Sequence, residues 1–108
     1  MSAEPSWSTL CVVTTTVANA EDARQLATAM LQARLAACVQ TEPITSHYLW
    51  QQAMQEETEW RLVFKTLPDS LVQLVQHLRA QHPYEVPQLL MRTEQCLDDY
   101  LQWMRDCL

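Results

Sequence analysis

The residues best suited to chemistry in this chain lie in one short segment, 81–87, which follows directly on a helical pattern. The segment carries a titratable imidazole, His82, and an aromatic side chain, Tyr84. Pro83 and Pro87 exclude helix and favour extended backbone in the residue before each of them. His82 is therefore predicted where a helix ends and a strand begins, a placement typical of a binding site.

Imidazole is a common ligand of Cu(II) and Zn(II), and copper binds more tightly than zinc at a given site. If the chain binds a divalent metal, His82 is the candidate ligand. One histidine makes a poor site, so Glu85, a cysteine, backbone groups or a symmetry-related chain would have to complete it. The structural alternative is that His82 caps the preceding helix or hydrogen-bonds across an interface.

Hydrophobic periodicity predicts the order β-α-β-β-α-β-α. Asn19 is the expected cap of the first helix, and Pro68 opens the second, which His82 and Pro83 stop. The predicted strands run over 10–16, 39–50, 58–66 and 85–91. A polar connection is expected over 51–57, and a last amphipathic helix over 97–104.

Right-handed crossovers place strands one and three of such a chain at the centre of its sheet. The fold class is therefore α/β, a ferredoxin-like βαββαβ sandwich with an additional C-terminal helix. One face of that sheet stays uncovered in a single subunit, and large residues such as Tyr48, Trp50 or Trp60 are expected there. An exposed apolar patch of this kind indicates an oligomer.

The length of 108 residues predicts one domain, over residues 9–108, behind a flexible tail at residues 1–8. The tail has no pattern of a signal peptide, so a cytoplasmic protein is expected. No apolar run is long enough to span a membrane, and the net charge of −6 is unfavourable for nucleic acid.

The chain contains no glycine. Phosphate-binding loops, dinucleotide fingerprints and glycine-dependent nucleophile elbows are therefore excluded, and no organic cofactor is expected. Any left-handed turn has to use Asn19, an aspartate or a strained residue. The four cysteines show no C-x-x-C spacing, and disulfides are not expected. An acylphosphatase-like hydrolase would need a glycine-rich oxyanion loop, so the chain is not expected to be an enzyme.

Several separate motifs, in one order along the chain, resemble the CutA divalent-cation tolerance family. They are Val12–Thr16, Arg34–Val39, Ser46–Trp50, Phe64–Thr66, His82–Pro87 and Tyr100–Trp103. The resemblance implies a tight homotrimer in which strands two and three pair across subunits. It also implies a role in tolerance of copper and other divalent metals, a likeness to PII-type signalling trimers, and no established catalysis.

The resemblance further implies a cleft between subunits, lined by Tyr48, Trp50, Lys65, His82 and Tyr84. The motif departs from the family pattern at one position of the cleft: Gln88 stands where a glutamate is usual. Glutamine keeps a carbonyl acceptor but loses the charge that attracts a divalent cation.

Three functions remain open for this cleft. The first is a divalent-metal site that includes His82. The second is a sensor site for a small anion, with Lys65 and His82 as the positive groups and the aromatic rings as walls. The third is a structural trimer in which the aromatic residues only pack at the interface.

Overall fold

The computed structural model describes residues 4–108 of the chain. The elements are β1 (Trp7–Val17), α1 (Ala20–Gln32), β2 (Cys38–Trp50), β3 (Ala53–Thr66), a 3-10 turn (Pro68–Ser70), α2 (Leu71–Gln81), β4 (Leu90–Leu97) and α3 (Asp98–Cys107). Within this part of the chain, no helix has the length and apolar character that crossing a membrane requires.

The four strands form one antiparallel sheet in the order β2-β3-β1-β4. The predicted central position of strands one and three is thereby confirmed, and this order is the one that a ferredoxin-like sandwich requires. Two of the three helix boundaries predicted from local signals are also confirmed, whereas Pro68 opens the 3-10 turn that precedes α2 and not α2 itself. Asn19 caps α1 by accepting a hydrogen bond from the Asp22 backbone N–H, and α2 ends at His82.

The main core lies between the sheet and helices α1 and α2. Its fully buried side chains include Val13 and Phe64 from the sheet, Met30 from α1 and Leu74 from α2. Trp60 packs against this core because it pairs with Val17 on the helix-covered face. The prediction that Trp60 lies on the uncovered face is therefore wrong.

Helix α3 covers one end of the opposite face of the sheet. Leu101 and Met104 of α3 form a second, smaller apolar cluster with Leu10 and Val12 of β1. The sheet is thus buried on both faces where α3 packs against it, and it is open on one face elsewhere.

The connection between β2 and β3 is much shorter than predicted. It consists of Gln51 and Gln52 alone, because β3 begins at Ala53 and not at Thr58. Both residues have left-handed backbones, with φ of 50° and 66°, and Arg34 after α1 has a φ of 57°. Because the chain has no glycine, three residues that carry side chains take this left-handed backbone conformation, which costs about 1–2 kcal/mol for each of them.

The part of the β2–β3 hairpin made of residues 44–59 is named the outer hairpin here. β1 ends opposite Trp60, so the two strands of the outer hairpin pair only with each other. They extend the molecule to 60 × 28 × 21 Å. Within residues 4–108, neither a third strand nor a helix therefore extends the cover of the sheet over the outer hairpin.

The ends of two predicted elements are corrected by the pairing of β1 with β4. Trp7 pairs with Leu97 and Ser8 with Cys96, so the last two residues of the predicted tail belong to β1. Residues 1–3 of that tail lie outside the described residues. β4 begins at Leu90 and not at Glu85, because residues 82–89 are held by side-chain hydrogen bonds and not by strand pairing.

Candidate functional site

His82 lies at the C-terminal end of α2, where its backbone N–H donates to the Leu78 carbonyl at 2.9 Å. Pro83 cannot continue the helix, and the chain leaves in an extended direction. The imidazole points back into the protein and is only 9% exposed. The residue that the sequence marked as a ligand is therefore largely buried.

Both nitrogens of the His82 ring are used by the protein itself. The Tyr84 backbone N–H donates to Nδ1 at 3.0 Å, so Nδ1 carries no proton. Nε2 therefore carries the proton and donates to the Thr15 hydroxyl at 2.9 Å. The Thr15 hydroxyl in turn donates to the Gln88 carbonyl at 2.6 Å. These four groups form the His82 network, which ties the two ends of the 82–88 segment to the centre of the sheet.

Burial lowers the pKa of His82 below its ordinary value, although hydrogen bonding to the Thr16 backbone and the charge of Asp22 act in the opposite direction. The ring is accordingly neutral near pH 7, in the single tautomer that the network requires. A neutral ring with one donating and one accepting nitrogen satisfies every partner around it.

The predicted metal role of His82 does not fit this geometry. The Nδ1 lone pair already accepts a hydrogen bond, and Nε2 is protonated. Among residues 4–108, no three His, Cys, Asp or Glu side chains are grouped so that they could hold a metal ion. The ring of His82 holds the segment in place within one subunit, and His82 is also the residue that caps the end of α2 through its backbone N–H, as the structural alternative expects.

A cleft of about 760 Å³ opens on the outer side of this segment. The outer hairpin forms one wall, and the 84–88 segment forms the other. Four predicted cleft residues line it together: Tyr48, Trp50, Tyr84 and Gln88. Gln88 belongs to the His82 network through its backbone carbonyl, so the network positions one wall of the cleft.

Lys65 is not among the residues that line this cleft. It lies at the inner end of β3, opposite Cys38 and Val12, with Nζ 5.8 Å from the centre of the Tyr100 ring. A single subunit therefore does not bring Lys65 together with the aromatic residues that were predicted to share its site.

Two carboxylates that the sequence analysis did not select, Glu57 and Glu59, line the cleft. The Tyr84 hydroxyl donates to Glu59 Oε2 at 2.9 Å. Desolvation and the carboxylate of Glu59 both raise the pKa of Tyr84, and desolvation followed by Glu57 raises the pKa of Tyr48. Both phenols therefore stay protonated and neutral.

The charge of the cleft is negative. No lysine or arginine lines it within the described range 4–108, whereas the two glutamates do. A signal for them exists in the sequence. If the hairpin turn is placed at Gln51 and Gln52, alternation puts Gln55, Glu57 and Glu59 on the same face as Tyr48. The arrangement favours cations over anions.

Comparison with known proteins gives one consistent result. The sequence model of the family described as CutA1 divalent ion tolerance protein matches residues 11–107. The divalent-cation tolerance protein CutA of Thermus thermophilus is 38% identical over 97 residues, which cover 88% of this chain and 94% of that protein.

Solved structures agree with this match. The structure of CutA from Synechococcus elongatus PCC7942 superposes with a TM-score of 0.91 at 41% identity, covering 95% of this chain and 96% of that one. A second structure of that protein, complexed with a Bis-Tris molecule, has a TM-score of 0.86 at 39% identity and covers 95% and 100% of the two chains.

Proposed function

This chain belongs to the CutA1 divalent ion tolerance family, and on that premise we propose that it acts as a cytoplasmic homotrimer in the response to divalent metal ions, copper among them. Its activity is binding and not catalysis. The binding site is the cleft between the outer hairpin and the 84–88 segment, completed by a neighbouring subunit. The observation that carries this proposal is the negative charge of a cleft that also has aromatic walls.

The outer hairpin supports a trimer. Its large apolar side chains stay exposed within the subunit, since Leu49, Trp50 and Met54 are 73%, 62% and 88% exposed. Exposed apolar residues at this density mark a surface that another protein chain covers. Pairing with further copies would also cover the open part of the sheet face.

The donors in the cleft fit a divalent cation in part. Glu57, Glu59 and the Gln88 side chain supply oxygen atoms, which hard divalent cations accept. One chain supplies too few charged donors for a complete site. Water or a neighbouring subunit would provide the remaining ligands. The metal contact thus moves from His82, which the sequence indicated, to Glu57 and Glu59.

A sensor site for a small anion is not favoured by the same cleft. That hypothesis needs Lys65 and a protonated His82 as positive groups, but Lys65 lies elsewhere in the subunit and the pKa of His82 is lowered. The remaining alternative is a structural trimer that binds no ligand, and the experiment below distinguishes it from a metal-binding protein.

The test is calorimetric titration of Cu(II) and Zn(II) into the protein, after its trimeric mass has been established by sedimentation equilibrium. The buffer must not contain Bis-Tris, since the Synechococcus relative forms a complex with it. We expect metal binding that weakens at least about tenfold in the double variant Glu57→Gln/Glu59→Gln, the equivalent of one lost ionic contact.

The matched control is Glu56→Gln, because Glu56 lies on the other face of β3, opposite His47, and does not line the cleft. It should bind metal as the unmodified protein does. His82→Gln should also retain metal binding. Loss of metal binding in His82→Gln alone would show that His82 is the metal ligand. A trimer that binds neither metal would support the purely structural role.

A further inference from the structure

We propose that the cleft is also a site for an organic ammonium ion, held between the aromatic rings and the carboxylates of Glu57 and Glu59, in competition with divalent cations. This inference rests on the proposed function, because it takes the cleft as the ligand site. It adds the chemical class of a second ligand and a direct link between that ligand and the metal.

The size of the cleft is the first reason. Its volume of about 760 Å³ lies within the range of roughly 300–1,000 Å³ that is usual for small-molecule sites. A metal ion needs a compact cage of converging donors, and the described residues 4–108 contain no such group of three. A metal alone would leave most of this space without a ligand.

The walls are the second reason. Tyr48, Trp50 and Tyr84 line the cleft, and tryptophan and tyrosine are the side chains whose ring faces attract organic cations most strongly. Tyr84 is held at its backbone and at the tip of its side chain, since its backbone N–H donates to His82 and its hydroxyl donates to Glu59. One wall is thus rigid before any ligand arrives, which lowers the entropic cost of binding.

The charge is the third reason, and it selects the ligand class. Glu57 and Glu59 are two residues apart on one face of β3, so their carboxylates project into the same cleft. An ammonium group needs one ion pair and an aromatic surface, both of which a single subunit supplies. A metal ion would use the same two carboxylates, so the two ligands exclude each other.

The experiment compares choline with 3,3-dimethyl-1-butanol, which has the same shape without the charge. Each is titrated calorimetrically into the trimer. We expect choline to bind at least about tenfold more tightly than the uncharged alcohol, because the alcohol lacks the charge that both the carboxylates and the ring faces attract. Choline affinity should fall by a similar factor in Glu57→Gln/Glu59→Gln and stay unchanged in Glu56→Gln.

The aromatic contribution is tested separately with Trp50→Leu, which removes a ring from the cleft wall, and with the matched control Trp103→Leu, which removes an exposed ring of α3 that does not line the cleft. We expect choline affinity to drop in the first variant and to remain in the second. Circular dichroism and the trimeric mass of each variant show whether it is folded before its affinity is compared.

A last titration adds Cu(II) in the presence of saturating choline, and competition should raise the apparent Kd of the metal. Equal affinity for choline and the alcohol would overturn the inference, and so would a choline affinity that is unchanged in Glu57→Gln/Glu59→Gln. Cu(II) binding without choline binding would also overturn it, while the proposed function would stand. Choline binding without metal binding would support the inference and remove the metal from the proposed function.

Discussion

Strand β3 runs through both the covered half of the sheet and the outer hairpin, yet its side chains have opposite environments in the two regions. Within the covered half, Leu62 and Phe64 are fully buried beneath α1 and α2. Ten residues before Phe64 on that strand, Met54 is 88% exposed, and its partner Leu49 across the hairpin is 73% exposed. The strand alternates apolar and polar side chains from Trp60 onward, where the helices cover one face, whereas its first residues are mostly polar.

This difference separates two tasks. The covered half supplies the apolar burial on which the stability of a subunit depends. The outer hairpin supplies little of that stability and carries Trp50, Glu57 and Glu59, which line the cleft. The His82 network lies at the border, where it joins the centre of the sheet to the segment that faces the outer hairpin.

The largest expected effect is on core packing. Phe64→Ala should lower the free energy of unfolding by about 3–5 kcal/mol, because it leaves a cavity among fully buried side chains. Met54→Ala, on the exposed end of the same strand, should lower it by clearly less, because Met54 is 88% exposed within the subunit and gains burial only from a neighbouring one. Urea denaturation at one fixed protein concentration measures both, since the stability of an oligomer depends on concentration.

A Met54→Ala cost comparable to that of Phe64→Ala would break the comparison. It would show that the outer hairpin is as deeply buried in the assembled protein as the core is within one subunit. Repeating the denaturation at several protein concentrations would then separate loss of assembly from loss of subunit stability.

A smaller effect is expected from the His82 network. Thr15→Val keeps the shape of the side chain but leaves the Nε2–H of His82 and the Gln88 carbonyl without their buried partner. The cost should be about 1–3 kcal/mol. Thr14→Val is the control, because Thr14 lies on the opposite face and has only a 3.5 Å contact from Arg92. Equal costs for the two variants in urea denaturation would mean that the network adds nothing at the border.

The smallest expected effect is on pH dependence. Because burial lowers the pKa of His82, the unfolded chain takes up a proton before the folded one does. The contribution of His82 to stability is therefore fully present above the unfolded value of about 6.5. It decreases as the pH falls from there towards the folded pKa, and below that pKa it stays constant.

Urea midpoints between pH 5 and 7.5 check this direction. The decrease should be shallower in His82→Gln, whereas His77→Gln should behave as the unmodified protein, since His77 is exposed on α2. The same slope in all three proteins would show that other groups cause the decrease.

Local signals predicted the parts of the fold that depend on local chemistry. The Asn19 cap, the helix stop at His82 and Pro83, and the central position of strands one and three are examples. They follow from capping, proline geometry and the handedness of crossovers, which act over a few residues or on the order of the elements. Four residues that were predicted for a cleft between subunits, Tyr48, Trp50, Tyr84 and Gln88, line one cleft of the single subunit, and their role in binding stays a prediction.

The errors have tertiary causes. Residues 53–57 were assigned to a polar connection, but pairing with β2 makes them strand. Glu57 was missed with them, and Glu59 was read only as strand patterning. Residues 85–89 alternate as a strand does, but His82 and Thr15 hold them from the side. A glutamine pair in a left-handed turn contradicts ordinary turn preferences, so no local signal marked it.

The position of β1 at the centre of the sheet also has a consequence for folding order. Cys11 pairs with Thr66 and Thr9 with Gln95, so the centre closes only after distant parts of the chain meet. The β2–β3 hairpin, closed by two residues, needs only about 1–10 μs. We therefore expect the hairpin to form first and to expose Leu49, Trp50 and Met54 before the core exists. Refolding at high concentration should accordingly be limited by premature contacts between hairpins.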